Sequence, residues 1–282
     1  MTEEQPLAAQ GTIDGHALDR LLSSIQERSE AFIAGLDALP PTKACESCVG
    51  GRAKFNRKLS EERMEHVYEC PHCMALQAAR RLERKIERVG IPADVRHATL
   101  ANFRIDRTNI NAKAHHPALF VDTARKFIAG ALRNVFFAGT CGIGKGHLAA
   151  AIAREFLKAG KSVKWTTCAK LFREYHKAYE SSSTELVIEA HSDSDLLVLD
   201  EICLRDLPSD GEEILFEIMD RRQKNRLQSV LMANKSASHI RDWLGGRVSD
   251  RLRSGTVAFC YGEWDSMRGA DGDGAGNKDL EF

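Results

Sequence analysis

The chain has 282 residues, and its 40 Lys and Arg residues are balanced by 40 Asp and Glu residues. This length suffices for one α/β domain plus a smaller module, and the neutral balance excludes the strongly basic overall field of many nucleic-acid-binding proteins. No apolar run reaches the roughly 18 to 20 residues that span a bilayer, and the N-terminus lacks the features of a signal peptide. We therefore expect a cytoplasmic protein without membrane contact, in which the eight cysteines are free thiols or metal ligands.

The first predicted element is an amphipathic helix within residues 1–44, behind a polar tail. Its apolar residues recur at the spacing of one helical face, and two prolines end it: Leu18, Leu22, Ile25, Phe32 and Leu36, then Pro40 and Pro41. The apolar face either docks on another protein or packs on the body of this chain.

Two C-x2-C pairs indicate a zinc-binding module over residues 45–92. The four thiols belong to Cys45, Cys48, Cys70 and Cys73. Four thiolates on two tight turns match tetrahedral Zn²⁺, and such a closed site is structural because it leaves no position for substrate. His66 and His72 are alternative ligands in place of one cysteine. A basic helix is predicted over residues 74–90, closed by Gly90 and Pro92.

From Phe120 onward, helical and strand patterns alternate, which is typical of a parallel sheet with crossover helices. Five strands are predicted near residues 133–138, 162–166, 195–200, 229–234 and 255–260. The sequence thus predicts an α/β core over residues 93–262. The Gly- and Asp-rich residues 263–282 are expected to form a flexible tail.

The segment NVFFAGTCGIGKGHLAAAIA combines an apolar strand, a glycine-rich turn and an Ala-rich helix. Glycines let consecutive amides point at phosphate oxygens at a helix N-terminus, and the lysine neutralises the outer phosphates. The pattern Gly-x4-Gly-Lys in this context predicts a P-loop for ATP. The binding residues would be Gly139, Thr140, Cys141, Gly142, Ile143, Gly144, Lys145, Gly146 and His147.

One position departs from the P-loop pattern, because Gly146 stands where a Ser or Thr hydroxyl normally ligates Mg²⁺. The ion must then be held by water, by Asp200, or by Thr140 or His147. The sequence therefore predicts nucleotide binding with slow hydrolysis. A capping or packing role is the alternative for His147.

Adjacent acids end the apolar run SDLLVLDEI. Side chains alternate along a strand, so Asp200 can face Mg²⁺ while Glu201 orients and deprotonates the attacking water. Asn234, after the strand SVLMAN, can hold the same water or the γ-phosphate. The alternatives are a solvated strand end for the acids and a turn-forming role for Asn234.

Two groups of basic residues complete the set of candidates. The segment GGRVSDRLRSG carries Arg247, Arg251 and Arg253, one of which can act on a neighbouring subunit's nucleotide as an arginine finger; surface ion pairing is the alternative. The second group lies on a predicted basic helix and can contact single-stranded DNA: Lys170, Arg173 and Lys177. The alternative is that these residues form a solvated helix face.

Over residues 90–268 the chain resembles the DnaC-type replicative helicase loaders, in the wider DnaC/IstB group of AAA+ ATPases. The resemblance rests on GIPADVRHATLANF, GTCGIGKGHLAAAIA, LLVLDEI, the strand ending at Asn234, GGRVSDRLR and FCYGEWDSMRG. It implies an AAA+ core without a C-terminal helical lid and a loader that binds a DnaB-type helicase through its N-terminal region. It also implies spiral self-assembly, delivery onto single-stranded DNA, and Arg251 as the arginine finger.

Two other functions stay open at this point. An IstB-like transposition helper shares the core but serves a transposase. A nucleotide-dependent adaptor that does not hydrolyse ATP is the other alternative, and Gly146 is the argument for it.

Overall fold

The computed structural model describes residues 52–59, 62–69, 71–107 and 109–266, and up to residue 73 it describes the backbone alone. The predicted N-terminal helix lies outside these residues, as do Cys45, Cys48, Cys70 and the side chain of Cys73. The zinc site therefore stays a prediction. Within the described part of the chain, no helix combines the length and the apolar character needed to cross a bilayer.

The chain divides into two compact units, Met1–Arg81 and Leu82–Phe282. In the first unit, β1 (Arg52–Leu59) pairs antiparallel with β2 (Glu62–Glu69). This hairpin occupies the stretch between the two cysteine pairs. The helix α1 (Pro71–Val89) begins in the first unit and continues into the second.

Helix α1 confirms the predicted basic helix and explains where the second unit begins. Ile86 is fully buried in the core of the second unit, and Leu82 and Val89 pack against the same cluster. Gly90 ends the helix with a φ of 83°, in the left-handed region that glycine tolerates. The core therefore starts within α1, upstream of the boundary predicted at residue 93.

A five-stranded parallel sheet forms the centre of the second unit, in the order β4-β5-β6-β3-β7. Its strands are β3 (Asn134–Gly139), β4 (Val163–Thr167), β5 (Leu196–Ile202), β6 (Gln228–Ala233) and β7 (Val257–Gly262). All residues of β3 and β6 are buried, as expected for central strands covered on both faces. The predicted α/β class and all five strands are confirmed.

Six helices of the second unit cover the two faces of this sheet. They are α2 (Pro117–Ile128), α3 (Lys145–Lys158), α4 (Cys168–Tyr179), α5 (Thr184–Ser192), α6 (Gly211–Lys224) and α7 (Ala237–Arg253). One apolar cluster joins α1, α2 and α3 to the sheet, and the other joins α4 through α7. The backbone of α7 is kinked at Gly245, whose φ of 74° and ψ of 169° are not helical.

The packed core continues to Trp264, past the boundary predicted at residue 262. Trp264 is buried, and its ring meets Phe120 edge-to-face at a centroid distance of 5.2 Å. Asn109 Nδ2 donates a hydrogen bond of 2.7 Å to Asp265 Oδ2. A flexible tail starting at residue 263 is therefore wrong for residues 263–266, because an aromatic side chain in the Gly- and Asp-rich segment joins the core. Residues 267–282, which the prediction of a missing lid concerns, lie outside the described residues.

Candidate nucleotide-binding site

The glycine-rich turn connects β3 to α3, and its glycines are required by their neighbours as well as by their backbone angles. Gly139 has a φ of 128°, and a Cβ there would lie 1.7 Å from the carbonyl oxygen of Gly262. Gly144, the residue before α3, has a φ of 97°, and its Cβ would lie 2.6 Å from Cε2 of Phe103. The turn therefore packs between the end of β7 and Phe103. From the sequence, Phe103 is identified only as part of a motif of the family.

Lys145 is the first residue of α3, and its ammonium group lies inside the turn. Its Nζ donates hydrogen bonds to the carbonyl oxygens of Gly139 at 2.9 Å and Thr140 at 2.7 Å. The N-terminus of a helix carries partial positive charge and unsatisfied amides, which together with this lysine fit the triphosphate of a nucleotide. The residues of the predicted P-loop therefore form one turn around the lysine ammonium, and their contacts with phosphate stay a prediction.

His147 is held by residues that precede the core strands. Its Nε2 lies 2.9 Å from the carbonyl oxygen of Thr99, and its ring meets Phe103 edge-to-face at 5.4 Å. Burial is the main cause that lowers the pKa of the imidazole. These contacts favour the packing role of His147 over a role as a ligand of Mg²⁺.

The position of Gly146 has room for a side chain. A Cβ added there would meet only Val95 Cγ1, at 3.9 Å, which is ordinary van der Waals contact. The missing Ser or Thr hydroxyl is therefore not excluded by crowding. With no hydroxyl at residue 146, the predicted groups for Mg²⁺ are water, Asp200 and Thr140.

The two acids lie near the end of β5, in an irregular stretch that strand alternation does not describe. The register between β5 and β6 shifts between Leu199 and Ile202, and Glu201 takes a left-handed φ of 56°. Asp200 is half-buried, Glu201 is exposed, and Asp200 Oδ1 accepts a hydrogen bond of 2.7 Å from the amide of Glu201. The regular alternation assumed from the sequence is therefore interrupted at Glu201, while the roles of the two carboxylates stay predictions.

Asn234 follows β6, at the same edge of the sheet as the phosphate-binding turn and the acids. Since β6 lies between β5 and β3, the residue after it stands between the acids and the turn. Asn234 is exposed. An amide in this place can contact both a terminal phosphate and a water held by a carboxylate.

The candidate arginine finger lies elsewhere in the fold. Arg251, near the end of α7, lines a cleft with Asn134 and Ser229, which stand at the start of β3 and β6. This is the amino edge of the sheet, whereas the phosphate-binding turn is at the carboxyl edge. Arg251 Nε lies 2.7 Å from Asp220 Oδ1, and the exposed Arg247 stacks over Phe216 at 4.2 Å. Arg251 therefore makes an ion pair within its own chain, as the alternative of surface ion pairing predicts. It also lies at the edge of the sheet opposite the turn that is predicted to bind its own chain's nucleotide.

The basic residues of α4 lie next to the acids. Arg173 and Lys177 line a cleft of about 700 Å³ together with Glu201 and Arg205. Lys170 is not among its lining residues and lies 3.8 Å from Glu174. Arg205 is not identified from the sequence, because no motif directly follows Glu201. Arg205 enters the cleft only because the loop after β5 packs against α4.

Comparisons with known proteins agree with this geometry. A family model described as IstB-like ATP binding protein matches residues 42–251. The replicative helicase loader DnaC of Escherichia coli K12 is 31% identical over 196 residues, covering 67% of this chain and 77% of that protein. A crystal structure of the DnaC helicase loader has a TM-score of 0.51 at 18% identity, covering 61% of this chain and 100% of that one. A crystal structure of DnaI also gives a TM-score of 0.51 at 18% identity, covering 62% and 95%. These two structures share the fold of the second unit.

Proposed function

The chain belongs to the IstB-like ATP-binding proteins, and on that basis we propose that it is an ATP-hydrolysing loader that delivers a replicative DnaB-type helicase onto single-stranded DNA. The observation that carries the proposal is the placement of three motifs at one edge of the sheet: the turn with Lys145, then Asn234, then Asp200 and Glu201. The E. coli relative is named a replicative helicase loader, which supports the choice of partner.

Each residue of the site has a proposed role in hydrolysis. Amides of residues 139–146 and the ammonium of Lys145 bind the β- and γ-phosphates of ATP. Asp200, with water, holds the Mg²⁺ that neutralises charge on those phosphates. Glu201 orients the attacking water and accepts its proton, and Asn234 holds the water or the γ-phosphate. Arg251 acts on the nucleotide of a second copy, because it lies at the opposite edge from its own chain's turn.

The cleft beside Glu201 supports a proposal for the DNA contact. Arg173, Lys177 and Arg205 line it and can pair with backbone phosphates of a single strand. A strand bound there would lie next to the proposed general base. DNA binding and ATP hydrolysis would then influence each other through Glu201.

The N-terminal part is proposed to bind the helicase. Residues 1–44 would supply the amphipathic helix, and the segment from residue 45 to the first part of α1 the module held by Zn²⁺ on Cys45, Cys48, Cys70 and Cys73. The hairpin of β1 and β2 lies between these cysteine pairs and would be fixed by the metal. Such a division leaves nucleotide chemistry to the second unit.

Substitution of Glu201 tests hydrolysis. Glu201→Gln keeps the size of the side chain but removes the base, so ATP turnover should fall by roughly 10²–10⁴-fold while the Kd for a fluorescent ATP analogue stays the same. Glu217→Gln, on α6 and paired with Arg221, is the matched control and should leave turnover unchanged. Equal turnover in Glu201→Gln and wild type would favour the non-hydrolysing adaptor.

A loading assay tests the function itself. Purified helicase and chain are supplied with circular single-stranded DNA coated with its binding protein, and helicase retained on the circles is measured. Wild type with ATP should load the helicase, and Lys145→Ala should not. Retention of a transposase on DNA, with no loading of any helicase, would instead support the transposition helper, which the IstB-like family description keeps as the second candidate.

A further inference from the structure

A basic cleft of about 490 Å³ lies at the amino edge of the sheet, around the end of α6 and the start of β7. Its cationic lining residues are Arg133, Arg222, Arg226 and Arg251. Of the described residues that line it, none carries a carboxylate. The guanidinium of Arg222 is buried and donates its hydrogen bonds to backbone carbonyls and to Ser229 Oγ. Arg133 and Arg226 give the cleft a positive charge suited to phosphate, whereas Arg251 is paired with carboxylates that lie outside the lining.

One carboxylate just behind the cleft contacts Arg251. Asp220, on α6, places Oδ1 at 2.7 Å from Arg251 Nε and Oδ2 at 2.6 Å from Lys224 Nζ. These two cations lower the pKa of the Asp220 carboxyl, Lys224 being the larger cause. Asp220 is thus ionised at neutral pH and fixed between two partners.

The ion pair between Asp220 and Arg251 is shorter and less exposed than an ordinary surface ion pair. The side chain of Asp220 is only 16% exposed, whereas Asp250, the other carboxylate near Arg251, is 74% exposed and lies 3.3 Å from Nη1. The guanidinium also lies over the ring of Phe216, with 5.4 Å to its centroid. Two residues of α6, Asp220 and Phe216, therefore hold Arg251 from one side.

The use of Nε has a consequence for what Arg251 can bind. Arginine recognises phosphate through its paired nitrogens, and its terminal NH₂ groups carry four of the five donors. Asp220 forms an ion pair at Nε, without the alignment of a hydrogen bond, and so restricts the guanidinium. Nη1 donates a hydrogen bond of 3.3 Å to the exposed Asp250, a contact that a phosphate can replace. The rotamer entropy that a long side chain loses on binding is then already lost before the ligand arrives.

We propose that Asp220 is a positioning residue, which holds Arg251 toward the basic cleft where the triphosphate of ATP bound by a second copy enters. This inference rests on the proposed function, in which Arg251 acts between copies. Arg133 and Arg226 attract the incoming phosphates, and Asp220 fixes the one guanidinium that contacts the γ-phosphate. Loss of Asp220 lowers kcat in the neighbouring copy and leaves its affinity for ATP unchanged.

Mixing of variant copies tests the proposal. Wild-type chain is mixed with an excess of a Lys145→Ala chain, which binds no ATP but presents its own Arg251 to wild-type neighbours. A Lys145→Ala/Asp220→Ala chain replaces it in the second arm. An arginine finger contributes about 10³–10⁵-fold to kcat, so a misoriented one should lower the wild-type copies' kcat by roughly tenfold or more, with KM unchanged.

The controls separate positioning from folding and assembly. Asp220→Asn keeps an oxygen acceptor for Arg251 Nε and should retain more activity in trans than Asp220→Ala. Glu217→Ala, one turn earlier on α6, should act like Lys145→Ala alone. Unchanged melting temperature and unchanged assembly in sedimentation are expected for Asp220→Ala. Loss of assembly would overturn the positioning role, because a structural effect would then account for the lower rate.

A third arm separates failure of this inference from failure of its premise. It uses Lys145→Ala/Arg251→Ala, which should abolish stimulation in trans. If that chain abolishes stimulation while the Asp220→Ala chain stimulates as well as Lys145→Ala, the role of Asp220 is refuted and Arg251 still acts between copies. If neither substitution has an effect, Arg251 does not act in trans and the proposed role of the arginine fails as well.

Discussion

At the scale of single residues, Gly146 carries the largest departure from the phosphate-loop pattern. The sequence identifies the departure because the motif has a fixed order of residues. It cannot say whether a hydroxyl is missing for lack of space, since that depends on the residues packed around α3. A Cβ at residue 146 would lie 3.9 Å from Val95 Cγ1, so the site has room for a side chain. The absent hydroxyl can therefore be restored in a gain-of-function experiment.

Gly146→Thr should increase ATP turnover. The added hydroxyl would ligate Mg²⁺ directly, and a contact with a charged group contributes about 1.5–3 kcal/mol, which corresponds to roughly 10–100-fold in rate if it strengthens in the transition state. Turnover is measured against Mg²⁺ concentration, and the apparent requirement for Mg²⁺ should also fall. Gly146→Val, which adds the same shape without the hydroxyl, is the control. Equal rates for Thr and Val would contradict a role for the hydroxyl.

A second residue, His191, is expected to make the stability of the fold depend on pH. It is fully buried, its Nδ1 lies 2.7 Å from the carbonyl oxygen of Val187, and burial is the main cause that lowers its pKa. The charged groups that face it are Glu174, Lys164 and Arg222. The folded state therefore binds a proton at His191 more weakly than the unfolded state does. The neutral imidazole contributes to stability above the unfolded pKa of about 6.5, and this contribution is lost as pH falls.

The free energy of unfolding should therefore decrease as pH is lowered from about 6.5. Denaturant titration at each pH measures it. His191→Gln removes the titrating group and should make this decrease shallower. His147, whose pKa is also lowered by burial, accounts for part of the slope that remains. His239→Gln, an exposed histidine on α7, is the matched control. A slope identical in His191→Gln and wild type would contradict the assignment.

At the scale of elements, the packing of α4 against the loop after β5 makes a cleft from two separate parts of the sequence. Helix periodicity alone made Lys170, Arg173 and Lys177 equal candidates for DNA contact. Only the packing distinguishes them, since Arg173 and Lys177 line the cleft beside Glu201 while Lys170 lies next to Glu174. The same packing adds Arg205, whose carbonyl accepts a hydrogen bond of 2.7 Å from Trp243 Nε1.

Replacement of Arg173, Lys177 and Arg205 by Ala should weaken binding of single-stranded DNA. Each phosphate contact contributes about 0.7 to the dependence of log K on log salt concentration, so loss of three should reduce that slope by about 2. Fluorescence anisotropy of a labelled oligonucleotide at several salt concentrations measures it. Lys170→Ala, on the same helix but outside the cleft, is the control and should change the slope less than any substitution of a lining residue.

At the scale of the whole molecule, the division into two units separates the predicted zinc ligands from the nucleotide site. The phosphate-binding turn, the acids and Asn234 all belong to the unit that begins at Leu82. The cysteine pairs belong to the other unit. A change in the first unit should therefore alter partner binding without altering nucleotide binding.

The double substitution Cys45→Ser/Cys48→Ser in the full chain should remove bound zinc and the capture of a DnaB-type helicase. Removal of two thiolates leaves too few ligands for a closed tetrahedral site. Zinc content is measured by mass spectrometry of the metal, helicase by co-precipitation, and ATP affinity by titration. Cys141→Ser, an exposed cysteine in the phosphate-binding turn, is the control for zinc. Full zinc content in the double variant would contradict the predicted ligand set.

The sequence by itself determined the α/β class, the five strands, the glycine-rich turn after β3 and the order of the predicted motifs. It could do so because each depends on local periodicity or on residues at fixed spacing. The bulge at Glu201, the burial of Trp264 and the ion pair of Arg251 with Asp220 were decided only by tertiary structure. Each of these joins residues distant in the chain or depends on the register of a neighbouring strand, and no local pattern encodes which side chains will meet.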